Sequence, residues 1–262
     1  MNPSTFEKPL IMAHRGFQTH YPENTMVSFM AAVEAGAQFV ELDVTMTGDN
    51  QVAVIHDDRV DRTTNGTGPV HNYDLKSLQQ LDAGSWFHPR FAGERVPALI
   101  DVLGRVTAKA YINLEIKSHG QNSRQGAGEI EQAVVALIHK TNTAGRVLIS
   151  SFDPVVLENV RRLHAVIPVA LISKLFNQRE TRVLCEELDV FSYHPNLAYL
   201  EAEHVIEMHQ AGIRVFPYNI NDEKDIYRGF ALGVDGLIAK NPDLARKCYH
   251  RTQQATDQDL AD

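Results

Sequence analysis

The segment "FVELDVTMTGDNQVAVIHDD", residues 39–58, places two acids inside an apolar run and then reverses direction. Side chains two positions apart on a strand point to the same face, so Glu41 and Asp43 project together. The polar turn at residues 47–51 allows the next run to pair antiparallel with the first, which returns His56 toward the two acids. Either a bound cation or a solvent-exposed strand end would account for two adjacent carboxylates among apolar neighbours.

Short apolar runs with the same character recur along the chain, and helix-like amphipathic stretches separate most of them. The eight runs are residues 10–14, 39–44, 110–116, 146–152, 169–173, 189–194, 213–219 and 234–239. Apolar strands that alternate with helices indicate a parallel sheet buried on both faces. Eight such units predict an α/β fold of the (β/α)8 TIM-barrel type, which needs about 250 residues. An open, doubly wound sheet is the alternative, although no glycine-rich dinucleotide-binding fingerprint follows the first run.

The domain organisation follows from one interruption in this pattern. Residues 57–96 are rich in Gly, Asn, Asp and Pro and contain one short helical stretch near "DLKSLQQL". We therefore expect a single TIM-barrel catalytic domain at residues 1–250, with a small subdomain inserted at about 57–96 after the second-strand hairpin. Residues 251–262 form a polar C-terminal tail.

Composition narrows the classes of partner and the location. The net charge of −8 argues against broad nucleic-acid binding, and no stretch approaches the roughly 20 apolar residues of a membrane span. The first residues lack the apolar core of a signal peptide, and the 2 cysteines are far apart. We expect a cytoplasmic protein with a small-molecule partner, no nucleic acid and no integral membrane segment. The sequence does not indicate an oligomeric state.

A third acid joins the first two in the run "NLEIK", residues 113–117. Glu115 falls at the carboxyl end of its strand, as Asp43 does, and active sites of TIM barrels are assembled at that end. Three carboxylates that converge there predict a site for one divalent cation, Mg²⁺ or Ca²⁺, with Mn²⁺ also compatible with oxygen ligands. Lys117 lies on the same face as Glu115, where it either binds an anion or serves as a counter-ion.

The first strand ends in "AHRG", residues 13–16, which adds a histidine and an arginine to this end of the barrel. His14 suits proton transfer and Arg15 suits phosphate binding, although a structural role for His14 is the alternative. With His56, the predicted site holds two histidines, three carboxylates and the positively charged side chains of Arg15 and Lys117. Such a set suits attack on a phosphodiester, in which cationic groups neutralise the phosphoryl oxygens and the histidines move protons.

These residues lie in motifs through which the chain resembles the glycerophosphodiester phosphodiesterase family over nearly its whole length. The motifs are "AHRG" (13–16), "PENT" (22–25), "ELDV" (41–44), "HDD" (56–58), "DRTTNGTG" (61–68), "LDAGSWF" (81–87), "NLEIK" (113–117), "SSFD" (150–153) and "GVDGLI" (233–238). The resemblance implies a TIM barrel with an inserted subdomain. It also implies hydrolysis of glycerophosphodiesters, such as glycerophosphocholine and glycerophosphoethanolamine, to sn-glycerol 3-phosphate and an alcohol, through a cyclic phosphate.

The resemblance also assigns roles to individual residues. Glu41, Asp43 and Glu115 look like the metal ligands, His14 and His56 like the acid and base in either order, and Arg15, Lys117 and Tyr218 like substrate contacts. The family often has Trp-Thr-Val-Asn where this chain has residues 218–221, and Thr-Asp where it has residues 239–240. These departures leave the expected reaction unchanged and affect the pocket for the leaving alcohol.

Two other functions are compatible with the sequence. One is a barrel that binds phosphodiesters without cleaving them, although the complete set of histidines and acids argues against it. The other is a lyase of the phospholipase-D-like kind, which stops at the cyclic phosphate.

Overall fold

The computed structural model describes residues 9–117, 128–174 and 178–259. The strands are β1 Leu10–Ala13, β2 Phe39–Met46, β3 Val52–Val54, β4 Tyr111–Ile116, β5 Val147–Ser151, β6 Val169–Ser173, β7 Ser192–Pro195, β8 Arg214–Val215 and β9 Gly236–Ala239. The α-helices are α1 Met26–Glu34, α2 Leu75–Leu78, α3 Leu99–Val106, α4 Glu129–Thr141, α5 Pro154–Leu163, α6 Gln178–Glu187, α7 Ala202–Gln210, α8 Glu223–Ala231 and α9 Pro242–Asp259. All eight predicted apolar runs contain a strand.

The strands form a parallel barrel in the order β8-β7-β6-β5-β4-β2-β1-β9. Backbone hydrogen bonds join its two ends, because Asp235 N donates to Val215 O at 3.1 Å and Ile238 N donates to Pro217 O at 3.0 Å. The predicted (β/α)8 barrel is therefore confirmed, and the open doubly wound sheet is excluded.

The hairpin expected after β2 is present. Strand β3 pairs antiparallel with β2, with Val44 opposite Val54. Asn50 takes a left-handed φ of 58° in the connecting turn, a conformation that asparagine tolerates better than most residues. Ile55 N then donates to Asp43 O at 3.1 Å, which brings His56 to the carboxyl end of β2.

Apolar side chains fill the barrel interior on the side where the strands begin. They form one cluster, which comprises Leu10, Met12, Phe39, Leu148, Ala170, Phe216 and Ile238. The intervening strand residues, such as Ile11 and Ala13 on β1, belong to the larger cluster that packs beneath the helices. The acids Glu41, Asp43 and Glu115 lie beyond this cluster, toward the carboxyl end of their strands.

Residues 57–96 run irregularly between β3 and α3 and carry α2. Their buried apolar side chains, among them Val60, Val70 and Leu78, pack with Ala53 and Ile55 in a separate small cluster. This cluster holds the segment over the carboxyl end of β2.

The C-terminal segment differs from the expectation of a separate polar tail from residue 251. Helix α9 continues through this segment to Asp259, so residues 251–259 extend a helix whose earlier residues Ala245 and Cys248 are buried. No helix in the described part of the chain has the length and apolar character needed to cross a membrane.

Candidate active site

Three carboxylates meet at the carboxyl end of β2 and β4. Glu41 and Asp43 share a face of β2, and Asp43 lies opposite Glu115 in the parallel pairing of the two strands. One carboxylate oxygen from each of the three residues lies within 4.8 Å of the others. Glu41 and Asp43 are buried and Glu115 is half-buried, so the predicted convergence of the three acids is confirmed. We call these three residues the acidic floor.

The electrostatics of the acidic floor favour a bound cation. Burial and the charges of Asp43 and Glu115 raise the pKa of Glu41 well above its usual range. Burial, with the charge of Asp43, likewise raises the pKa of Glu115 to about 8. Burial would also raise the pKa of Asp43, but the charges of Arg15 and Lys117 bring it below the usual value.

The donor set of the acidic floor fits a divalent cation. The Oε1 atom of Glu41 is buried and has no hydrogen-bond partner among the described residues. A buried carboxylate oxygen without a partner is costly, and a cation would remove that cost. Because all the donors are oxygens, the floor suits Mg²⁺, Ca²⁺ or Mn²⁺.

A sharp turn after β1 directs Arg15 into the site. Arg15 and Gly16 have left-handed φ values of 51° and 83°. A Cβ on Gly16 would lie 2.9 Å from the carbonyl carbon of Ser28, so this turn requires glycine. The turn lets Arg15 N donate to Glu41 Oε2 at 2.7 Å. The Arg15 guanidinium lies 3.3 Å from Asp43 Oδ2 and 2.9 Å from Glu23 Oε1.

The two predicted histidines both line the site but have different partners. His56 Nδ1 lies 2.5 Å from the Asp57 carboxylate. A carboxylate can only accept, so Nδ1 carries the proton and the Nε2 lone pair of His56 is left for another group. His14 Nδ1 lies 2.5 Å from Gln18 Nε2, and the same amide group donates to the His14 carbonyl oxygen at 3.0 Å. That amide orientation places the proton of neutral His14 on Nε2.

His14 and the acidic floor are close together. His14 Nε2 lies 3.9 Å from Glu41 Oε2. Burial, with the charge of Arg15, lowers the pKa of His14 to about 3. This lowered pKa makes His14 neutral at physiological pH.

A chain of ion pairs links His56 to Arg15 across the inserted segment. The Asp57 carboxylate accepts hydrogen bonds from Arg62 at 2.7 and 2.9 Å. Arg62 also donates to both oxygens of Glu23 at 2.8 and 3.0 Å, and Glu23 accepts from Arg15. Hydrogen bonds from Arg62 hold the pKa of Asp57 below its usual range. The inserted segment therefore fixes the carboxylate that orients His56.

These groups surround one cavity of about 520 Å³ at the carboxyl end of the barrel. Its lining residues are His14, Arg15, Glu41, His56, Asn113, Glu115, Lys117, Phe152, Ile172, Lys174, His194, Tyr218, Asn219 and Ile238. Seven of the eight predicted site residues are therefore in the lining. The eighth, Asp43, is buried behind it, with its carboxylate held by Arg15 and by Asn24 Nδ2 at 2.8 Å.

The far wall of the cavity is partly aromatic. The rings of Phe152 and Tyr218 meet edge to face with centroids 6.0 Å apart, and the Tyr218 hydroxyl donates to Ser173 O at 3.1 Å. His194, at the end of β7, also lines the cavity, and burial lowers its pKa to about 3. Its Nε2 lies 2.9 Å from Ser192 Oγ, and its lowered pKa makes His194 a neutral wall residue.

Several cavity residues were not predicted from the sequence. Asn113 lies two positions before Glu115 on β4 and therefore shares its face, a signal that was available. Its buried Oδ1 has no hydrogen-bond partner among the described residues. Lys174 follows Ala170 and Ile172 at intervals of two residues, so the strand pattern of β6 places all three on the same face. Either Asn24 or Thr25 could cap α1 by its residue type; Thr25 does so by accepting from Ser28 N, and Asn24 holds Asp43.

Comparison with known proteins agrees with this geometry. Residues 14–244 match the model of the glycerophosphoryl diester phosphodiesterase family. A glycerophosphodiester phosphodiesterase from Caldanaerobacter subterraneus is 36% identical over 237 residues, which cover 90% of this chain and 96% of that protein. One from Bacillus subtilis is 33% identical over 258 residues, which cover 92% of this chain and 86% of that protein.

A solved structure adds a bound product. The phosphodiesterase from Oleispira antarctica, solved in complex with the product sn-glycerol 3-phosphate, is 28% identical to this chain with a TM-score of 0.85. The similarity covers 92% of this chain and 97% of that one. The sequence resemblance is confirmed, as is the enzyme class: the chain belongs to the glycerophosphoryl diester phosphodiesterase family and is a phosphoric diester hydrolase.

Proposed function

We propose that this enzyme hydrolyses glycerophosphodiesters to sn-glycerol 3-phosphate and an alcohol, with one divalent cation on the acidic floor. Glycerophosphocholine and glycerophosphoethanolamine are the simplest substrates of this class. The observation that carries the proposal is the cavity itself, in which the acidic floor and two histidines with different hydrogen-bond partners lie together. The sn-glycerol 3-phosphate bound to the Oleispira phosphodiesterase supports the product.

Glu41, Asp43 and Glu115 would hold the cation, which we expect to be Mg²⁺ or Ca²⁺. When bound, it would neutralise charge on the phosphoryl oxygens. Arg15 and Lys117 line the same cavity and would donate hydrogen bonds to those oxygens. Arg15 is already held by Glu23 and Asp43, so its guanidinium would be positioned before the substrate arrives.

The partners of the histidines favour His56 as the base. Its Nδ1 proton is held by Asp57, which leaves Nε2 to take the proton from the attacking glycerol hydroxyl. Attack on the phosphorus would form a cyclic phosphate and release the alcohol. A water molecule would then attack the cyclic phosphate, with its proton passing to His14 while His56 returns a proton to the glycerol oxygen, to give glycerol 3-phosphate.

His14 is left as the acid. Its Nε2 bears the proton in the neutral form, as set by the Gln18 amide. A bound phosphodiester anion would favour the imidazolium, in which the Gln18 amide would turn so that its oxygen accepts from Nδ1–H, and the leaving alkoxide would take the Nε2 proton. Tyr218 lies on the wall that the departing alcohol would face.

The proposal is tested by incubating the metal-stripped protein with glycerophosphodiesters and adding Mg²⁺, Ca²⁺ or Mn²⁺ separately. We expect glycerol 3-phosphate only when a cation is present, and loss of turnover on chelation. Phosphorus NMR of the product separates this hydrolysis from the lyase alternative, since a lyase would accumulate the cyclic phosphate. Full turnover of the stripped protein in chelator would contradict the role of the acidic floor.

A further inference from the structure

Three cationic side chains line the cavity together with Glu41 and Glu115. Arg15 and Lys117 are half-buried, as is Glu115, and Lys174 is exposed. We call Arg15, Lys117 and Lys174 the basic rim. The whole chain carries a net charge of −8, so three cations in one cavity wall do not follow from composition.

The proposed reaction leaves one member of the basic rim unused. The cation would offset much of the negative charge of the floor, and the reacting phosphodiester carries a single negative charge. Arg15 and Lys117 suffice for that group, and Arg15 also pairs with Glu23 and Asp43. Lys174 forms no ion pair with any described residue, and it is one of the residues that line the cavity.

The position of Lys174 relates it to the alcohol rather than to the reacting phosphate. The proposed catalytic groups come from the ends of β1, β2, β3 and β4. Lys174 directly follows β6, two strands beyond β4 in the barrel order, and shares its wall with Phe152 and Tyr218. A diester bound at the acidic floor through its glycerol end would extend its other substituent toward this wall.

We infer that Lys174 binds a second anionic group on the leaving alcohol, and that the enzyme prefers diesters whose alcohol itself carries a phosphate or phosphodiester. This inference rests on the proposed function and names its substrate class. The aromatic pair Phe152 and Tyr218 offers a face to a quaternary ammonium. However, Lys174 stands beside that pair and repels a cation, and no acid among the described lining residues lies on β5, β6 or β8.

The test compares two diesters that share the same leaving alcohol except for one charged group. Glycerophosphoglycerol releases neutral glycerol, whereas 1,3-bis(glycerophospho)glycerol releases an alcohol that retains a phosphodiester. We expect the initial kcat/KM of wild type to be about ten-fold higher for the second compound, which corresponds to about 1.4 kcal/mol. Glycerophosphocholine, with a cationic alcohol, should be the poorest of the three. Added salt should narrow the differences.

Variants of Lys174 test whether this residue causes the preference for an anionic leaving alcohol. Lys174→Gln should lower the ratio of kcat/KM for the two glycerol diesters by about five-fold to ten-fold, and Lys174→Glu should lower it further. Lys109→Glu is the control, because it changes the net charge by as much as Lys174→Glu does. Lys109 is exposed and lies just before β4, at the other end of the barrel. Lys109→Glu should leave the ratio unchanged.

The outcomes separate this inference from the proposed function. A wild-type ratio near one, a preference for glycerophosphocholine, or a ratio that both Lys174 variants preserve would overturn the inference while hydrolysis stands. A wild type that cleaves none of the three diesters would overturn the proposed function and the inference together.

Discussion

The two ends of the barrel interior are built from the same strands but differ in nearly every property. Where the strands begin, Phe39 and Tyr111 stack with ring centroids 5.1 Å apart in an apolar cluster. Two residues further along β2, the interior position is Glu41, a buried acid with one oxygen that has no hydrogen-bond partner in the described part of the chain. The amino end is therefore a packed apolar core, whereas the carboxyl end buries charged side chains.

This difference teaches that stability and function are separated along each strand rather than between strands. A buried residue at the amino end contributes its transfer free energy and its packing. A buried acid at the carboxyl end costs stability until a ligand arrives. Changes at the carboxyl end should therefore alter turnover more than folding, and changes at the amino end should do the reverse.

The largest effect on turnover is expected at the carboxyl end from His56→Ala. Loss of a positioned base lowers kcat by about 10²–10⁴-fold. The midpoint of denaturant unfolding should stay close to that of wild type because His56 is half-buried and lies after β3. His71→Ala, at an exposed position in the same inserted segment, is the control and should retain full turnover. Wild-type kcat in His56→Ala would rule out the proposed base.

The matching change at the amino end is Phe39→Ala, which should destabilise the fold by about 3–5 kcal/mol. Phe39 is 0% exposed and Phe152, in the cavity wall, is 37% exposed. Phe152→Ala should therefore cost far less free energy of unfolding in urea melts. If both variants lose similar stability, the proposed separation between the two ends is wrong.

A third difference concerns pH and the buried His194. Burial lowers its pKa to about 3 in the folded state, against about 6.5 when unfolded. Between these values the unfolded chain binds the extra proton, so this contribution to stability is complete above pH 6.5 and declines as the pH falls. At pH 5 the loss should be about 2 kcal/mol.

His194→Asn removes one of two buried histidines with a lowered pKa, the other being His14, and should make the dependence of unfolding free energy on pH between 5 and 7 less steep without abolishing it. Denaturant unfolding at three pH values measures the slope. An unchanged slope in the variant would mean that His194 is protonated in the folded protein.

The smallest effect is expected from the ion pairs that orient His56. Arg62→Gln breaks the link between Asp57 and Glu23 and should lower kcat by about ten-fold, with KM little changed. Arg62→Lys keeps the charge and should recover part of the loss. Arg59→Gln removes an exposed arginine that pairs with Asp61, and it serves as the matched control. A loss confined to KM would show that Arg62 does not act through His56.

The barrel could be predicted because each strand is buried on both faces and reads as a continuous apolar run. The acids of the floor could be predicted because they interrupt those apolar runs, and because Glu41 and Asp43 have the two-residue spacing that places side chains on one face of a strand. Lys174 could not be singled out in this way. A lysine at the end of β6 resembles an ordinary strand terminus until closure of the barrel places it in the cavity.

Other features depend on contacts distant in sequence. Glu23 and Arg62 are 39 residues apart, and their pairing follows from how the inserted segment packs on β3. Polar composition predicted a separate tail after residue 250, yet α9 runs on to Asp259. Polar composition indicates that a segment is exposed to solvent, but an exposed segment can still be helical. The cytoplasmic location and the identity of the native cation remain predictions.

The account rests on a cation bound by Glu41, Asp43 and Glu115, and its most direct test is the stoichiometry of binding. Equilibrium dialysis of stripped protein against Mg²⁺, Ca²⁺ or Mn²⁺, followed by elemental analysis, should give about one ion per chain in wild type for at least one of these metals. Glu41→Gln should bind that metal much more weakly while remaining folded. Stoichiometric binding that Glu41→Gln retains at wild-type affinity, or no binding by wild type to any of the three metals, would contradict the account.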